Sequence, residues 1–435
     1  MMFTALKSRV ERHKETLLYT SSNVVLAAAT FLGSFVCARL LAPQQLGAFQ
    51  TAQLLVTYLG FLPLGVFNGF NRHYPYLLGK GDPKAAALLS RTGYSVARVT
   101  AAIAAILAIG QLFFFWKTSG DPALILAAVA VVPLAALSQI NSLQSAILTG
   151  RQSFGWVARA QFLLAFVTLA LLPLVWKFTV PGQCVRLVVI AAVAWILYLF
   201  KTSDARRWHW DSRAILELIK IGMPILAIGY LYQVFSVADR TLVAWVKGTE
   251  AVGHYALAGL AIAAVQSVYL PLIVATYSKA NHAYGRSQSL ASLIHPTKRF
   301  LLLISISAVP LAVLIYFCLP VFVPWLLPKY VAGIRAGQIA CIASVAFCYC
   351  GTAFVFNVTR HNLPYGLIVA CGLAAFFLIG FLTPAKDLTL ERVAWLRTMI
   401  SIGVCLLSNA YLVFYLWRGI RRESISPPSP AGMKK

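Results

Sequence analysis

The chain has 435 residues, of which 60% are hydrophobic and only 11% are charged, and its mean hydropathy is +0.78. Soluble domains are about half apolar and a quarter charged, so this composition excludes an ordinary soluble protein and indicates a membrane protein. The formal net charge of +25 does not indicate nucleic-acid binding, because the basic residues are spread between apolar runs and form no single patch.

The apolar residues are grouped into about twelve runs, each long enough to cross the hydrocarbon core as a helix, which takes about 20 residues. In chain order the runs are 17–41, 47–70, 93–116, 122–149, 155–177, 183–202, 218–241, 252–278, 300–326, 331–357, 363–384 and 394–419. They take up most of the chain, so the sequence predicts an all-α integral membrane bundle without a separate soluble domain.

The basic residues concentrate on one side of these runs. If the N-terminus is placed inside, most of the 37 Lys and Arg residues lie in the inner segments and few lie in the outer loops. This distribution follows the positive-inside rule. It predicts that both the N- and C-termini are cytoplasmic.

One short turn occurs twice, as "RLLAPQQLGAFQTA" at 39–52 and as "WVKGTEAVGHYALA" at 245–258. Alignment of Gly47 with Gly253 gives an offset of 206 residues and also aligns the apolar and aromatic residues around them. Prolines in the second and eighth runs are separated by nearly the same offset. These coincidences predict an internal duplication.

The longest polar interruption after the N-terminus, 201–217, divides the runs six and six. We therefore predict a six-helix lobe over 1–205, a second six-helix lobe over 206–420 and a cytoplasmic tail over 421–435. Each lobe has an even number of crossings, so both would have the same orientation, related by an axis along the membrane normal.

Local signals predict several helix ends and contacts. Pro43 cannot continue the first helix, and the glycine that follows allows the second helix to begin against a neighbour. The Gly65-x-x-x-Gly69 pattern allows close helix contact. Asp82 followed by Pro83 is a strong helix start, which predicts helix in the connection between the second and third runs.

The segment "ADRTLVAWVKGTEAVGHYALA" at 238–258 resembles the seventh-helix segment of the polysaccharide-biosynthesis flippases, with matches at Asp239, Arg240, Gly253 and Tyr255. The segment "ARLLAPQQLGAFQTA" is similar to the end of their first helix, with matches at Arg39, Leu40, Gly47 and Phe49. The segment "NRHYPYLLGKGD" is similar to their stretch after the second helix, with matches at Arg72, Tyr74 and Lys80. These are the Wzx-type oligosaccharide translocases, in the superfamily that also contains the MATE drug exporters and the lipid II flippase.

The resemblance implies a MATE-like fold in which two six-helix lobes surround a central cavity that opens alternately to each side of a bacterial inner membrane. It implies a cargo of an O-antigen, lipopolysaccharide or exopolysaccharide repeat unit, carried on undecaprenyl pyrophosphate. The implied partners are this lipid-linked oligosaccharide, membrane lipids, and the polymerase and chain-length machinery of polysaccharide biosynthesis. Nucleic acid is not an expected partner.

Ionisable residues inside the apolar runs are functional candidates, because burying an isolated charge in a membrane is costly. Asp239 is the only acid clearly inside a run, whereas seven bases lie inside runs: Arg39, Arg98, Arg159, Arg186, Arg240, Arg335 and Arg397. A guanidinium group can bind a diphosphate in a bidentate manner, so this excess of arginine predicts an anionic cargo. The candidate residues of the translocation path are Arg39, Arg72, Arg159, Asp239, Arg240 and Arg335.

Most of these charged residues also have a structural explanation. Four arginines lie within a turn or two of a run's end, where snorkelling to the headgroups is the favoured interpretation: Arg98, Arg186, Arg335 and Arg397. Asp239 and Arg240 form either an ion pair or part of the path, and Arg39 and Arg159 are equally open. Amides inside the runs meet either sugar hydroxyls or, more often, a neighbouring helix: Asn23, Asn68, Gln139, Asn141, Gln144, Gln233 and Gln266.

Three functions are compatible with these features of the sequence. A flippase for a lipid-linked oligosaccharide accounts for the duplication, the arginines and the resemblance. A cation-coupled multidrug exporter of the same superfamily would need more carboxylates in the bundle, and a membrane glycosyltransferase or polymerase would need paired acids in a large outer loop. No Walker glycine loop occurs, so this chain is not expected to hydrolyse ATP, and an H⁺ or Na⁺ gradient or product consumption would drive turnover. Because no carboxylates are paired by spacing, we predict no enzymatic activity, no metal and no cofactor.

Overall fold

The computed structural model describes residues 2–425, and over this range the chain contains fifteen α-helices, several short 3-10 turns and no strand. The helices are α1 (Met2–Leu40), α2 (Pro43–Tyr58), α3 (Val66–Lys80), α4 (Pro83–Thr118), α5 (Pro122–Gly150), α6 (Phe154–Ala170), α7 (Leu172–Phe178), α8 (Val180–Thr202), α9 (Ser212–Lys247), α10 (Thr249–Ser287), α11 (Ile294–Leu326), α12 (Ile334–Tyr349), α13 (Phe354–Thr359), α14 (Leu363–Leu382) and α15 (Leu390–Ile425). The predicted all-α class is confirmed. The last ten residues of the predicted tail, 426–435, lie outside the described residues.

The apolar helices match the predicted runs one for one. Within the described residues, eleven helical stretches are long and apolar enough to cross a membrane, and α2 with α3 forms a twelfth that is bent by 52°. The bend corrects the prediction of one continuous helix over 47–70. The chain is therefore a multi-pass membrane protein with about twelve spans.

Proline and aspartate set several of the helix starts. Pro43, Pro83 and Pro122 are each the first residue of a helix, where a missing N–H costs no hydrogen bond. The carboxylate of Asp82 caps α4 by accepting the backbone N–H of Ala85 at 2.9 Å. The predicted helix start after Asp82 is confirmed.

Chain contacts divide the structure into two compact units, Met1–His254 and Tyr255–Lys435. In the first unit α5 packs against α2, α4 and α8, while α1 packs against α6 and α3 packs against α9. One of its core clusters includes Phe70, Tyr74, Leu143, Ile147 and Leu218. These units are defined by contacts between residues and not by the internal repeat. The division into lobes over 1–205 and 206–420 therefore stays a prediction.

In the second unit α12 is the most enclosed helix, with α11 and α15 packed against it and α14 packed against α15. Phe300, Phe356 and Phe376 are fully buried there. The burial is large because small residues recur along α12, and these allow neighbouring helices to approach closely.

Helix starts recur at the offset that the sequence predicts. Pro43 begins α2 and Thr249 begins α10, which places the two starts 206 residues apart. Pro122 and Pro328, which begin the spans Pro122–Gly150 and Pro328–Thr359, are also 206 residues apart. These equal spacings support the internal duplication.

The two copies of the repeated turn touch each other at their equivalent glycines. A Cβ atom on Gly47 would overlap the carbonyl oxygen of Thr249 and lie 2.5 Å from the backbone nitrogen of Gly253. A Cβ atom on Gly253 would overlap the carbonyl oxygen of Pro43. The first turns of α2 and α10 are therefore in backbone contact, and only glycine fits at either position.

Candidate functional site in a broken membrane span

The second span is broken over seven residues between α2 and α3. A 3-10 turn at Leu59–Phe61 follows α2, and α3 begins only at Val66. Pro63 has no N–H to continue the helix, and Gly65 adopts a left-handed φ of 85°. A Cβ atom on Gly65 would also lie 2.5 Å from the backbone nitrogen of Met223. Irregular backbone at membrane depth is tolerated only inside protein or beside a water-filled cavity.

Side chains from two other helices bind the carbonyl groups that the break leaves outside regular helix. The hydroxyl of Tyr230 on α9 donates to the carbonyl oxygen of Tyr58 at 2.8 Å. The amide of Gln139 on α5 donates to the carbonyl oxygen of Leu59 at 3.1 Å. Broken membrane helices of this kind recur at transporter binding sites, because their free backbone groups are polar and fixed in position.

Further polar groups of α9 line the same break. The hydroxyls of Tyr58 and Thr241 are 2.6 Å apart, and the ring of Tyr230 lies 5.1 Å from that of Phe61. The side chain of Gln233 is exposed and reaches within 4 Å of the place where a Cβ atom on Gly60 would lie. We call the group of Tyr58, Gln139, Tyr230, Gln233 and Thr241 the broken-span site.

Asp239 lies beside this site, within electrostatic range of Tyr58, and it is only 2% exposed. One of its carboxylate oxygens accepts the backbone N–H of Arg240 at 2.9 Å. Arg240 is half-buried, and its guanidinium forms no ion pair with any carboxylate whose side chain the structure describes. Because the two residues meet through the Arg240 backbone, the structure does not show the ion pair that the sequence left open.

The contacts described for the broken-span site do not include Arg39, Arg72, Arg159 or Arg335. Arg72 on α3 and Arg335 on α12 are exposed. Arg159 shares an exposed face of α6 with Leu163 and Phe166, which are 43% and 69% exposed. An apolar exposed face suits contact with lipid, whereas a role in the path requires that this face line the cavity.

Helix α1 has two different exposed faces. Arg39 is on the apolar one, together with Val25 and Leu32. The other carries Thr30 and Ser34, whose hydroxyls donate to carbonyl oxygens of their own helix at 2.8 and 2.9 Å. This polar stripe is absent from the predicted site, although the helical spacing of its residues could have indicated it.

Arg186 is buried, which corrects the prediction that it snorkels to the headgroups. It is 3% exposed, and its guanidinium donates to the carbonyl oxygen of Thr168 at 3.0 Å and to the amide oxygen of Gln183 at 3.1 Å. The sulfur of Cys37 is 3.4 Å from the same guanidinium. Arg397, at 5% exposed, is likewise enclosed. Hydropathy alone could not distinguish these residues from the exposed arginines.

Several of the intramembrane amides form hydrogen bonds between neighbouring helices, which is the more common role of such residues. Asn141 donates to the carbonyl oxygen of Ala191 at 3.0 Å, and Gln144 donates to the hydroxyl of Tyr94 at 3.3 Å. Asn23 accepts a hydrogen bond from Gln161 at 3.0 Å. Of the predicted amides, Gln139 and Gln233 are the two that belong to the broken-span site.

Solved structures with the same fold are transporters. An inward-facing multidrug-resistance MATE family transporter of the MOP superfamily matches with a TM-score of 0.69 at 17% identity, over 92% of this chain and 96% of that chain. The lipid II flippase MurJ in an inward closed conformation matches with a TM-score of 0.68 at 12% identity, over 94% and 91%. A MOP-superfamily transporter from Pyrococcus furiosus, described as having a binding pocket of reverse polarity, matches with a TM-score of 0.63 at 15% identity, over 93% and 96%. The chain therefore has the MATE-like membrane transporter fold.

Comparison of the amino-acid sequence with known families identifies the family of this chain. None of the curated proteins is similar enough in sequence to be counted as a relative. The polysaccharide biosynthesis protein family, however, matches residues 36–330, which is more than half of the chain. This protein belongs to that family.

Proposed function

We propose that this protein flips an undecaprenyl-pyrophosphate-linked oligosaccharide, the repeat unit of an O-antigen, lipopolysaccharide or exopolysaccharide, across the bacterial inner membrane by alternating access. The observation that carries the proposal is membership of a polysaccharide biosynthesis family in a chain with a transporter fold. One of the structures with this fold is itself a lipid flippase, which supports a cargo of the same general class.

The broken-span site suits the sugar part of such a cargo. Hydroxyl and amide groups of Tyr58, Tyr230, Gln233 and Thr241 can exchange hydrogen bonds with sugar hydroxyls, and the rings of Tyr230 and Phe61 offer apolar faces. The hydroxyls of Tyr58, Tyr230 and Thr241 are held by hydrogen bonds at the helix break, so binding would order few of these side chains.

Arginine supplies the proposed contact with the diphosphate. Arg240 is the candidate nearest the broken-span site; it is half-buried, and its guanidinium forms no ion pair with any carboxylate whose side chain the structure describes. Arg39, Arg72, Arg159 and Arg335 are proposed as further cations along the path. A pocket of reverse polarity is described for the Pyrococcus furiosus transporter, so pocket charge differs between proteins of this fold.

An ion gradient or removal of the product would drive turnover. Asp239 is the buried acid beside the broken-span site, and we propose it as the group through which H⁺ or Na⁺ would couple to transport. The polymerase and chain-length machinery would consume the flipped unit on the far side of the membrane.

The test is substitution of Arg39, Arg159 and Arg240 with alanine in a strain whose surface polysaccharide depends on this gene. We expect Arg240→Ala to lower surface polysaccharide most and to leave lipid-linked units on the cytoplasmic face. Protein level in the membrane should stay unchanged, as it should in the control variant Lys117→Ala, which changes an exposed base at a helix end. Full polysaccharide from all three arginine variants would contradict the proposed anionic path.

A multidrug exporter is the second candidate function. The fold similarity to a multidrug MATE transporter and the burial of Asp239 in α9 favour it. A deletion strain decides between the two candidates: increased sensitivity to cationic drugs with normal surface polysaccharide would identify an exporter. Loss of polysaccharide with unchanged drug sensitivity would identify the flippase.

A further inference from the structure

The linker between α8 and α9, residues 203–211, is anchored within the first unit by the fully buried Ala205 and by polar contacts. The guanidinium of Arg151 pairs with the carboxylate of Asp204 through contacts of 2.6 and 3.1 Å. The backbone N–H of His209 donates to the hydroxyl of Ser95 at 3.0 Å. The linker is therefore a fixed part of the surface and presents its outward side chains in set positions.

Two tryptophans project from this fixed linker. Trp208 and Trp210 are 59% and 48% exposed, and their rings are stacked nearly parallel with centroids 6.1 Å apart. Such large aromatic rings are normally buried in water-soluble proteins. They are common, however, at the boundary between headgroups and hydrocarbon at the end of a membrane span.

The charges around the tryptophans are mostly positive. The exposed basic residues of the linker and the first three turns of α9 are Arg206, Arg207, Arg213 and Lys220. Two nearby acids are already engaged within the chain: Asp204 pairs with Arg151, and Asp211 caps α9 by accepting the backbone N–H of Arg213 at 2.9 Å. Glu217 is the remaining acid of this stretch, so the surface keeps a net positive charge.

We propose that Arg206, Arg207, Trp208 and Trp210, here called the Trp-Arg surface, bind anionic phospholipid headgroups of the adjacent leaflet. Guanidinium groups bind phosphate through paired hydrogen bonds, and the indoles lie at headgroup depth with their N–H groups toward water. Because the linker is already fixed, binding orders little backbone. The bound lipids hold this end of the bundle at a constant depth in the membrane. This role is independent of which cargo the protein moves.

The test uses the full-length purified chain and phosphatidylglycerol as the anionic probe, with phosphatidylcholine as the neutral one. Native mass spectrometry of the protein with increasing amounts of each lipid gives the two apparent affinities. We expect selective phosphatidylglycerol binding, which Arg206→Gln with Arg207→Gln weakens about 30-fold, the fold-change for two basic residues near an anionic membrane surface at low salt. The pair Trp208→Ala with Trp210→Ala should weaken binding of both lipids.

The chain offers matched controls at the ends of α4 and α7. Lys117 and Lys177 are exposed bases, and Trp116 and Trp176 are exposed tryptophans, 67% and 74% accessible. The pair Lys117→Gln with Lys177→Gln removes the same charge and should leave the affinity for both lipids unchanged, as should Trp116→Ala with Trp176→Ala. Circular dichroism and size-exclusion profiles confirm that each variant is folded.

Three outcomes would overturn the proposal. One is equal binding of the anionic and neutral lipids by the unchanged protein. Another is an equal loss of phosphatidylglycerol binding in the Arg206→Gln, Arg207→Gln variant and in the Lys117→Gln, Lys177→Gln control. The third is equally tight binding of soluble glycerol phosphate, which would show a site for a free anion instead of a lipid surface. None of these measurements involves transport, so they leave the proposed flippase function untouched.

Discussion

Replacement of Gly47 or Gly253 with alanine should push apart the helix starts that the repeated turn brings together. A methyl group on Gly47 would lie 2.5 Å from the backbone nitrogen of Gly253, and one on Gly253 would lie 2.8 Å from the Cα atom of Pro43. Non-bonded carbon atoms pack at about 3.5–4.0 Å, and the overlaps with the carbonyl oxygens of Thr249 and Pro43 are tighter still, so the crossing would have to open by more than about 1 Å. Overpacking of this kind costs about 1–3 kcal/mol, and we expect each variant to lose that much free energy of unfolding.

The double variant should cost less than the sum of the two single variants. Both methyl groups meet the backbone of the same crossing, so one outward displacement of α10 from α2 makes room for both. Residues in direct contact commonly show interaction energies of about 0.5–3 kcal/mol in double-mutant cycles. We therefore expect the double variant to resemble the worse single variant.

The assay is equilibrium unfolding of the purified protein in mixed micelles, with surface polysaccharide as a functional readout. Gly110→Ala in α4 and Gly229→Ala in α9 are matched controls, because a Cβ atom at either position would meet no atom within 4 Å. The controls should gain about 0.5–1 kcal/mol from the removal of a helical glycine. A Gly47→Ala variant as stable as Gly110→Ala, or a strictly additive double variant, would refute the backbone contact.

Three further predictions concern polar contacts. Tyr230→Phe removes the hydroxyl that donates to the carbonyl oxygen of Tyr58 at the break. We expect this variant to lose about 0.5–1.5 kcal/mol of unfolding free energy and to transport less. Unchanged transport would count against the broken-span site. Arg186→Lys should lower the thermal midpoint of unfolding more than Arg240→Lys. The reason is that only Arg186 uses the rigid geometry of its guanidinium to donate to two carbonyl oxygens. Equal midpoints for the two variants would contradict this prediction. The Arg151 and Asp204 pair is partly exposed, so a double-mutant cycle should give about 1 kcal/mol or less and shrink with added salt, whereas a larger, salt-independent coupling would contradict the observed exposure.

The spans and several helix ends could be predicted because their signals are local. Asp82 and Pro83 act within one helical turn, and the repeated glycine turn can be aligned at one offset without knowledge of packing. The site was only partly predictable. Asp239, Gln139 and Gln233 are recognisable as polar residues in apolar runs, but nothing in the local pattern shows that they surround the same helix break.

The arginines show one physical limit of the sequence pattern. Arg186 and Arg159 have similar apolar neighbours in the sequence, yet the first is enclosed by protein and the second lies on an exposed face. Hydropathy measures transfer out of water, and a protein interior and a lipid bilayer are nearly equally apolar. It therefore identifies a span without showing which side of the helix meets lipid.

The amino-acid sequence by itself determined the class of protein, the number and order of spans, the positions of their caps and the offset of the repeat, because each depends on nearest neighbours or on composition. The tertiary structure decided the break between α2 and α3, the burial of Arg186 and the contact of Gly47 with Gly253. Each of these joins residues far apart in the chain. Their energies come from close packing and from hydrogen bonds between different helices, which no local pattern contains.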